Sequence, residues 1–350
     1  MARRLDVAFA TLLAAILAIA ARRFPAVPSL LFPAPAALHE RAHTAFALGI
    51  WCFGVAAVVS IARGWVPNGE IATQFRKSTA AVVGLNMAFL LTVLAGLAPL
   101  LSANDPIAID VGPHAVSPRF AFPFGTDDFG RDLLCRCLYG ARISLSIGFI
   151  AVSISATLGT VVGAVSGFAG GWVDRGLMWF TDLLLALPRL VLLLAIVGLY
   201  RGSGAQNLIV IVVILGLTGW MGVARIVRAQ ILSLREQDFV LAARALGLPP
   251  ARILFRHLVP NSLAPVIVYG SLALGGTMLT EAALSFLGLG VPPPTPTWGV
   301  MVNEGRLQMR SAPWITILPG LCIVAAVMSF NLIGDGLRDA LDPRLRGRKS

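Results

Sequence analysis

Eight apolar stretches, separated by shorter polar segments, constrain the fold of this chain more than any other feature. They occupy residues 5–21, 44–62, 79–101, 143–168, 177–200, 207–224, 262–287 and 314–334. About 20 predominantly apolar residues cross a bilayer as a helix, which satisfies its own backbone hydrogen bonds in lipid. Only 13% of the residues are charged, against about 25% in soluble domains. The sequence therefore predicts an all-α, polytopic transmembrane helical bundle.

The net charge of +11 fits this prediction. In a soluble chain such an excess of lysine and arginine favours nucleic-acid binding. In so apolar a chain it is typical of basic loops that stay in the cytoplasm. Placing both termini and residues 225–261 in the cytoplasm puts most lysines and arginines on that side. We therefore expect contact with the lipid bilayer and no binding of nucleic acid.

Residues 225–261 form an arginine-rich segment between two apolar stretches. A short helix with one apolar face is predicted by the spacing of Phe239, Ala242, Ala243 and Leu246. Gly247 follows, where the end of a helix favours a residue with positive φ. Pro249 and Pro250 end this helix and can begin a second one, which is expected to close before Pro260. The segment thus predicts a compact helix–turn–helix outside the bilayer.

A second polar region separates the third and fourth stretches and ends in GTDDFGRDLLCRCLYGARIS at residues 125–144. Its first residues are typical of a turn in which Thr126 or Asp127 caps a helix. Charged and leucine side chains fall on different faces of that helix, so we expect it to lie at the membrane surface. Trp298 and Trp314 suit the membrane interface.

These two regions resemble the permeases of ABC importers. Ala242-Ala243, three residues, Gly247 and then Val259-Pro260 are similar to the coupling loop of that family, although Leu241, His257 and Val259 replace its Glu, Ile and Leu. The strings GTDDFGRD and GARIS resemble the second permease subunit of dipeptide, oligopeptide and nickel importers. SFLGLG, PPTPTWG and FNLIGDGLRDALDP extend the resemblance over residues 75–345.

The resemblance implies a six-helix ABC importer (type I) permease core plus about two extra N-terminal helices. Residues 1–74 are then an N-terminal extension with two transmembrane helices. A cleaved signal peptide is the alternative for the first of them, because Arg3 and Arg4 precede it. Residues 75–142 hold the first core helix and an outer-side segment, 143–345 the core with its coupling loop at 225–261, and 346–350 a basic cytoplasmic tail.

The same resemblance implies a permease subunit of an ATP-driven importer, multi-pass in the bacterial cytoplasmic (inner) membrane. Its partners would be a homologous permease subunit, two cytoplasmic ATPase subunits and an extracytoplasmic solute-binding protein. Di- or oligopeptides are the expected substrates. Nickel or another small solute, and outside this class a proton- or ion-coupled secondary transporter, are the alternatives. The residues expected to couple to the ATPase are Asp238, Phe239, Ala242, Ala243, Gly247, Arg252, His257, Pro260 and Asn261.

Several residues within the apolar stretches carry further hypotheses. A helix-packing seam is predicted by small residues at every fourth position, Gly159, Gly163 and Gly167. Asp182 and Arg189 could pair with each other or lie near the pathway, because charges within a span face protein or water. Pro188 between them predicts a kink. Glu281 either lines the pathway or is a solvated carboxylate at the interface.

The sequence contains no constellation typical of catalysis. It lacks the phosphate-binding GxxxxGK[ST] loop, so ATP hydrolysis is assigned to other subunits. The four histidines are dispersed, and the cysteines have neither metal-site nor disulfide spacing. We therefore expect no catalytic residue, no metal and no cofactor.

Overall fold

The computed structural model describes residues 70–102, 104–199 and 205–341. The apolar stretches at 5–21 and 44–62 and the basic tail at 346–350 lie outside these residues. The helices of the described part are α1 Glu70–Lys77, α2 Thr79–Gly96, α3 Ala98–Leu101, α4 Leu133–Ala169, α5 Gly171–Ala186, α6 Arg189–Leu199, α7 Ala205–Leu217, α8 Trp220–Leu234, α9 Asp238–Ala245, α10 Pro250–Ile253, α11 Val259–Phe286, α12 Trp298–Gly305 and α13 Trp314–Leu341. A π-helical turn at Leu254–Leu258 joins α10 to α11, and a 3₁₀ turn at Arg306–Gln308 follows α12.

Five helical segments of the described residues are long and apolar enough to cross a membrane. They are Thr79–Gly96, Leu133–Ala169, Asn207–Leu234, Pro250–Phe286 and Trp314–Leu341. Helices α5 and α6 provide a sixth if the pair counts as one span, although they meet at 84°. The break falls at Leu187, whose extended backbone is what a following proline imposes. The predicted all-α membrane bundle with a six-helix core is thereby confirmed.

The chain divides into two compact units, one within Met1–Ser146 and Pro294–Ser350 and the other at Ile147–Pro293. In the first unit, α2 packs closely on α13. A Cβ atom at Gly84 would lie 2.6 Å from Leu332 Cβ and 2.8 Å from the Ser329 carbonyl oxygen, and one at Gly336 would meet Ala81. Small residues thus allow these two helices to approach each other, as is common within membranes.

In the second unit, one hydrophobic cluster joins α4, α8, α9, α10, the π turn and α11. Its buried members are Ala164, Val223, Val227, Ile231, Val240, Ala243, Ile253, Leu254, Leu258 and Val266. The cluster continues from the apolar spans into the polar segment after α8. That segment is therefore packed onto the bundle rather than suspended from it.

Two predicted boundaries of the segment at 225–261 are wrong. Helix α8 continues to Leu234, because Arg225 and Arg228 form ion pairs with aspartates of α5 and need not leave the span. The second helix does not close before Pro260. It passes through the π turn into α11, where Pro260 occupies the first turn and needs no donor.

The predicted surface helix between residues 126 and 142 is also wrong. Helix α4 begins at Leu133 and runs without a break to Ala169. Asp132, rather than Thr126 or Asp127, caps it, because its Oδ1 accepts hydrogen bonds from the amides of Leu134 and Cys135 at 3.0 and 3.4 Å.

Trp298 does not lie at an interface as predicted. It is 1% exposed, and its Nε1 donates to the Cys137 carbonyl at 3.0 Å. Its amide donates to Ser144 Oγ at 3.2 Å. A tryptophan whose N–H finds a buried partner can be enclosed completely, which the sequence alone does not reveal.

Candidate functional site

Helix α9 and the turn after it form the centre of the predicted coupling loop at 225–261, called the coupling segment below. Gly247 has a φ of 72°, its amide donates to the Arg244 carbonyl at 2.9 Å, and the Leu248 amide donates to the Ala243 carbonyl at 3.1 Å. This hydrogen-bond pattern is a Schellman motif, which ends a helix with a residue in the left-handed region. Among the described residues, no atom lies within 4 Å of a Cβ built on Gly247. Backbone conformation, not space, therefore favours glycine there.

One face of α9 is anchored in the chain. Val240 is 0% exposed and Ala243 is 7% exposed, and both belong to the cluster that also contains Ile253 and Leu258. Ala243 therefore packs against its own chain, which differs from its predicted place on the partner surface. Its small side chain lets α9 approach the π turn and α8 closely.

A neighbouring face of α9 and the adjacent π turn present large apolar side chains to the surroundings. Leu246 is 81% exposed, Phe255 69% and Phe239 40%. Ala242 is exposed beside them. Asp238 and Arg252 are exposed at the starts of α9 and α10 respectively, and His257 is half-buried in the π turn. Apolar groups exposed together on a polar segment indicate a surface that a partner protein covers.

The end of the coupling segment is shaped by Pro260 and Asn261. Proline has no amide hydrogen to complete the helical ladder, and the preceding Val259 amide reaches back to the Leu254 carbonyl, a π-helical bond. Asn261 Nδ2 donates to the His257 carbonyl at 2.6 Å. The side chain of Asn261 thus satisfies a carbonyl of the π turn.

The three seam glycines, Gly159, Gly163 and Gly167, face the same helix, α8. Cβ atoms at Gly159 and Gly163 would collide with Val223 and with the Ala224 carbonyl, respectively, and one at Gly167 would lie 2.9 Å from the Arg228 carbonyl. Helices α4 and α8 therefore touch along their backbones over two turns.

Two ion pairs join α5 to α8. Arg228 Nε and Nη2 donate to the two carboxylate oxygens of Asp174 at 2.5 and 2.6 Å, and Ser166 also donates to Asp174. Arg225 Nη2 donates to Asp182 Oδ1 at 2.5 Å. Asp182 is therefore paired with Arg225 and not with Arg189.

Arg189 and Glu281 have other surroundings. Arg189 Nη2 lies 3.4 Å from the Leu215 carbonyl, near the end of α7, where a positive charge suits the helix dipole. Glu281 is 2% exposed and its Oε1 accepts a hydrogen bond from Ser285 Oγ at 2.8 Å. The alternative of a solvated carboxylate for Glu281 is wrong, because the carboxylate is buried in its own unit.

The first unit contains a charged cluster that sequence reasoning did not find. Asp127 Oδ2 accepts from Arg131 Nε at 2.6 Å and from Arg136 Nη1 at 2.7 Å, and Glu304 Oε2 accepts from Arg131 Nη2 at 3.0 Å and from Arg136 Nη1 at 2.7 Å. Arg136 is 1% exposed. The GTDDFGRD string contains Asp127 and Arg131, and Arg136 follows shortly after it, but Glu304 lies far away in the sequence. The cluster fastens the segment before α4 to α12.

Among the residues that the structure describes, no group of three or more His, Cys, Asp or Glu side chains could hold a metal ion. The described residues instead form a mechanical arrangement: a polar segment anchored to the helices, a close helix seam and ion pairs between helices.

Comparison with known proteins agrees with this description. Residues 159–347 match the family described as "binding-protein-dependent transport system inner membrane component". The chain belongs to this family. It is thus a multi-pass permease subunit of the inner membrane and a transport protein rather than an enzyme, and the family implies ATPase and substrate-binding partners.

Individual relatives cover most of the permease. It is 41% identical over 280 residues to the dipeptide transport system permease protein DppC of Alkalihalophilus pseudofirmus, covering 80% of this chain and 91% of that one. It is 40% identical over 274 residues to the oligopeptide transport system permease protein OppC of Bacillus subtilis, covering 78% and 88%. It is 39% identical over 271 residues to the glutathione transport system permease protein GsiD of Pectobacterium atrosepticum, covering 77% and 89%.

Proposed function

We propose that this permease carries di- or oligopeptides across the inner membrane. The relatives named above are described as permeases for dipeptides, oligopeptides and glutathione, which is itself a small peptide. These names do not favour nickel as the substrate. Membership of a binding-protein-dependent family does not favour an ion-coupled secondary transporter.

The permease works in a complex with a homologous permease subunit, two cytoplasmic ATPase subunits and an extracytoplasmic solute-binding protein. Each permease supplies half of the translocation pathway, and ATP-driven closure of the ATPase subunits moves the coupling segment. Asp182 and Arg189 are the ionisable residues proposed for the pathway, whereas Glu281, the third residue predicted for it, is enclosed within its own unit.

The observation that supports ATPase coupling most directly is the two-sided character of α9. Val240 and Ala243 fix it to the bundle, while Phe239 and Leu246 on its outer side expose apolar surface. A helix of this kind suits recognition by a groove in a partner. Because α9 shares its buried cluster with α8, a displacement of α9 would be transmitted to the spans.

The test uses one exposed leucine from each unit. Leu246 is 81% exposed and Leu307 84% exposed, so neither side chain stabilises the isolated chain by burial. We expect Leu246→Glu to abolish co-purification of the ATPase while the permease stays in the membrane at normal abundance. The matched variant Leu307→Glu, on the outer side of the predicted topology, should retain the ATPase. Normal ATPase binding by Leu246→Glu would refute the coupling surface.

A further inference from the structure

The Asp182–Arg225 ion pair is exposed to an unusual degree for a pair within two apolar spans. The side chain of Arg225 is 53% exposed and that of Asp182 58% exposed. The neighbouring Asp174–Arg228 pair is more enclosed, with side-chain exposures of 15% for Asp174 and 34% for Arg228. The two pairs join the same helices, so the difference between them lies in what surrounds each one.

Both residues of the exposed pair lie on membrane-spanning helices, towards the end nearest the segment at 225–261. The turn between α4 and α5 and the end of α8 are at the same level, because Arg235 Nη1 lies 3.4 Å from the Gly167 carbonyl. At about 1.5 Å per residue, Asp182 lies about 16 Å along α5 from Gly171, and Arg225 lies about 13 Å along α8 from Leu234. Asp182 lies five residues into the apolar stretch at 177–200, and Arg225 directly follows the stretch at 207–224. The pair therefore lies in the part of these spans nearest the segment at 225–261.

Lipid is a poor neighbour for this pair. Ionisable groups within a membrane span, such as Asp182, are costly and normally face protein or a water-filled cavity. Arg225 donates to Asp182 through one nitrogen, Nη2. A guanidinium has five N–H donors and a carboxylate about four acceptor sites. The remaining donors and acceptors need water or a polar ligand. The exposed side of the pair therefore faces an aqueous space.

We propose that Asp182 and Arg225 form a binding site for zwitterionic solutes on the wall of the translocation pathway. Asp182 accepts hydrogen bonds from the ammonium group of a passing peptide, and Arg225 donates hydrogen bonds to its carboxylate. These bonds replace the ion pair, which re-forms when the peptide leaves. This inference rests on the proposed peptide transport and adds Arg225, which the sequence did not suggest.

The exposure of the pair suits this exchange. A solvated ion pair contributes little stability, so opening it for a solute costs little and the solute is not retained. The more enclosed, bidentate Asp174–Arg228 pair is a stronger tie and keeps α5 on α8 while the exposed pair opens. One pair is thus structural and the other is available to ligands.

The test measures the rate at which single cysteines react with a charged, membrane-impermeant methanethiosulfonate reagent. The sample is the assembled transport complex with its binding protein, reconstituted in liposomes. The variants are Asp182→Cys and Arg225→Cys, and the unsubstituted chain gives the background of its native cysteines. Phe180→Cys is the matched control. Phe180 is 46% exposed and lies about 160° around α5 from Asp182, at 3.6 residues per turn.

We expect Cys at 182 and 225 to react roughly tenfold or more faster than Cys at 180, because thiols ionise and react only where water reaches them. Protection is measured with Ala186→Cys, an exposed position one turn after Asp182 that leaves the ion pair intact. Excess tri-alanine should slow labelling of this cysteine, whereas N-acetylated and C-amidated tri-alanine should not. Slow labelling at 182 and 225 would overturn the placement on an aqueous wall. Fast labelling without protection by tri-alanine would overturn the zwitterion site. Neither result depends on Leu246, so failure here is distinct from failure of the ATPase-coupling proposal.

Discussion

The contact between α4 and α8 predicts a specific penalty for one added methyl group at Gly163. A Cβ atom there would lie 2.8 Å from Val227 Cβ and 3.1 Å from the Ala224 carbonyl carbon, and closer still to its oxygen. Ordinary contact begins at 3.4 Å. Helices α4 and α8 would therefore have to separate by about 0.6 Å or more, because a carbonyl held in a helix cannot rotate away.

We expect Gly163→Ala to lower the free energy of unfolding by about 1–3 kcal/mol relative to its control, as is typical of overpacked sites. The control is Gly276→Ala. Gly276 is also within a span of the same unit, and no atom of the part of the chain that the structure describes lies within 4 Å of a Cβ built on it. This control measures separately the stabilisation, up to about 1 kcal/mol, that replacing a helical glycine with alanine gives by itself.

The assay is titration of the purified permease with SDS in mixed micelles, followed by circular dichroism. Gly159→Ala and Gly167→Ala should show the same direction of change. Combining either with Gly163→Ala should cost less than the sum, because one separation of the helices relieves neighbouring collisions. Equal stability of Gly163→Ala and Gly276→Ala would contradict the close approach of α4 and α8.

Three other substitutions test separate features. Gly247→Ala should lower the free energy of unfolding by about 1–2 kcal/mol in the same SDS titration, because position 247 has a positive φ. Gly247→Asn should lower it less, and equal losses in the two variants would argue against backbone strain. Asp127→Asn should lower the free energy of unfolding by about 3–5 kcal/mol, because it removes the negative charge that pairs with two enclosed arginines. The loss should exceed that of Glu304→Gln, because the Glu304 side chain is partly exposed. The reverse order of the two variants in thermal unfolding would contradict this. Asp174→Asn should lower the free energy of unfolding by about 1–3 kcal/mol, because it weakens the bidentate hydrogen bonds with Arg228. Unchanged stability would mean that other contacts hold α5 on α8.

The architecture could be predicted from the sequence because membrane helices are specified by local composition. Apolar length locates the spans, Pro188 locates the break in one of them, and Gly247 locates the end of α9 through its backbone conformation. Each of these signals is contained within a few residues. The boundaries were less predictable, because arginines at positions 225 and 228 resemble the start of a loop when their partners are unknown.

Features that depend on distant residues could not be read in the same way. Glu304 joins Arg131 and Arg136 across about half of the chain, and the burial of Trp298 depends on the Cys137 carbonyl. Ala243 illustrates a different difficulty. A small residue on a helix permits close approach on whichever side it faces, and only the packing of Val240 beside it shows that this side is internal.

Helix α8 connects α9 to the Asp182–Arg225 pair, so a displacement of α9 has a route to the proposed binding site. Helix α8 contributes Val227 and Ile231 to the cluster that holds α9, contacts the glycine seam on α4, and carries Arg225. Interiors packed at this density transmit displacement instead of absorbing it. A movement of α9 that shifts α8 along the seam would therefore alter the reach of Arg225 to Asp182. Substituting Gly163 should consequently change labelling at position 182 although the two residues lie on different helices, which would connect the seam to the pathway.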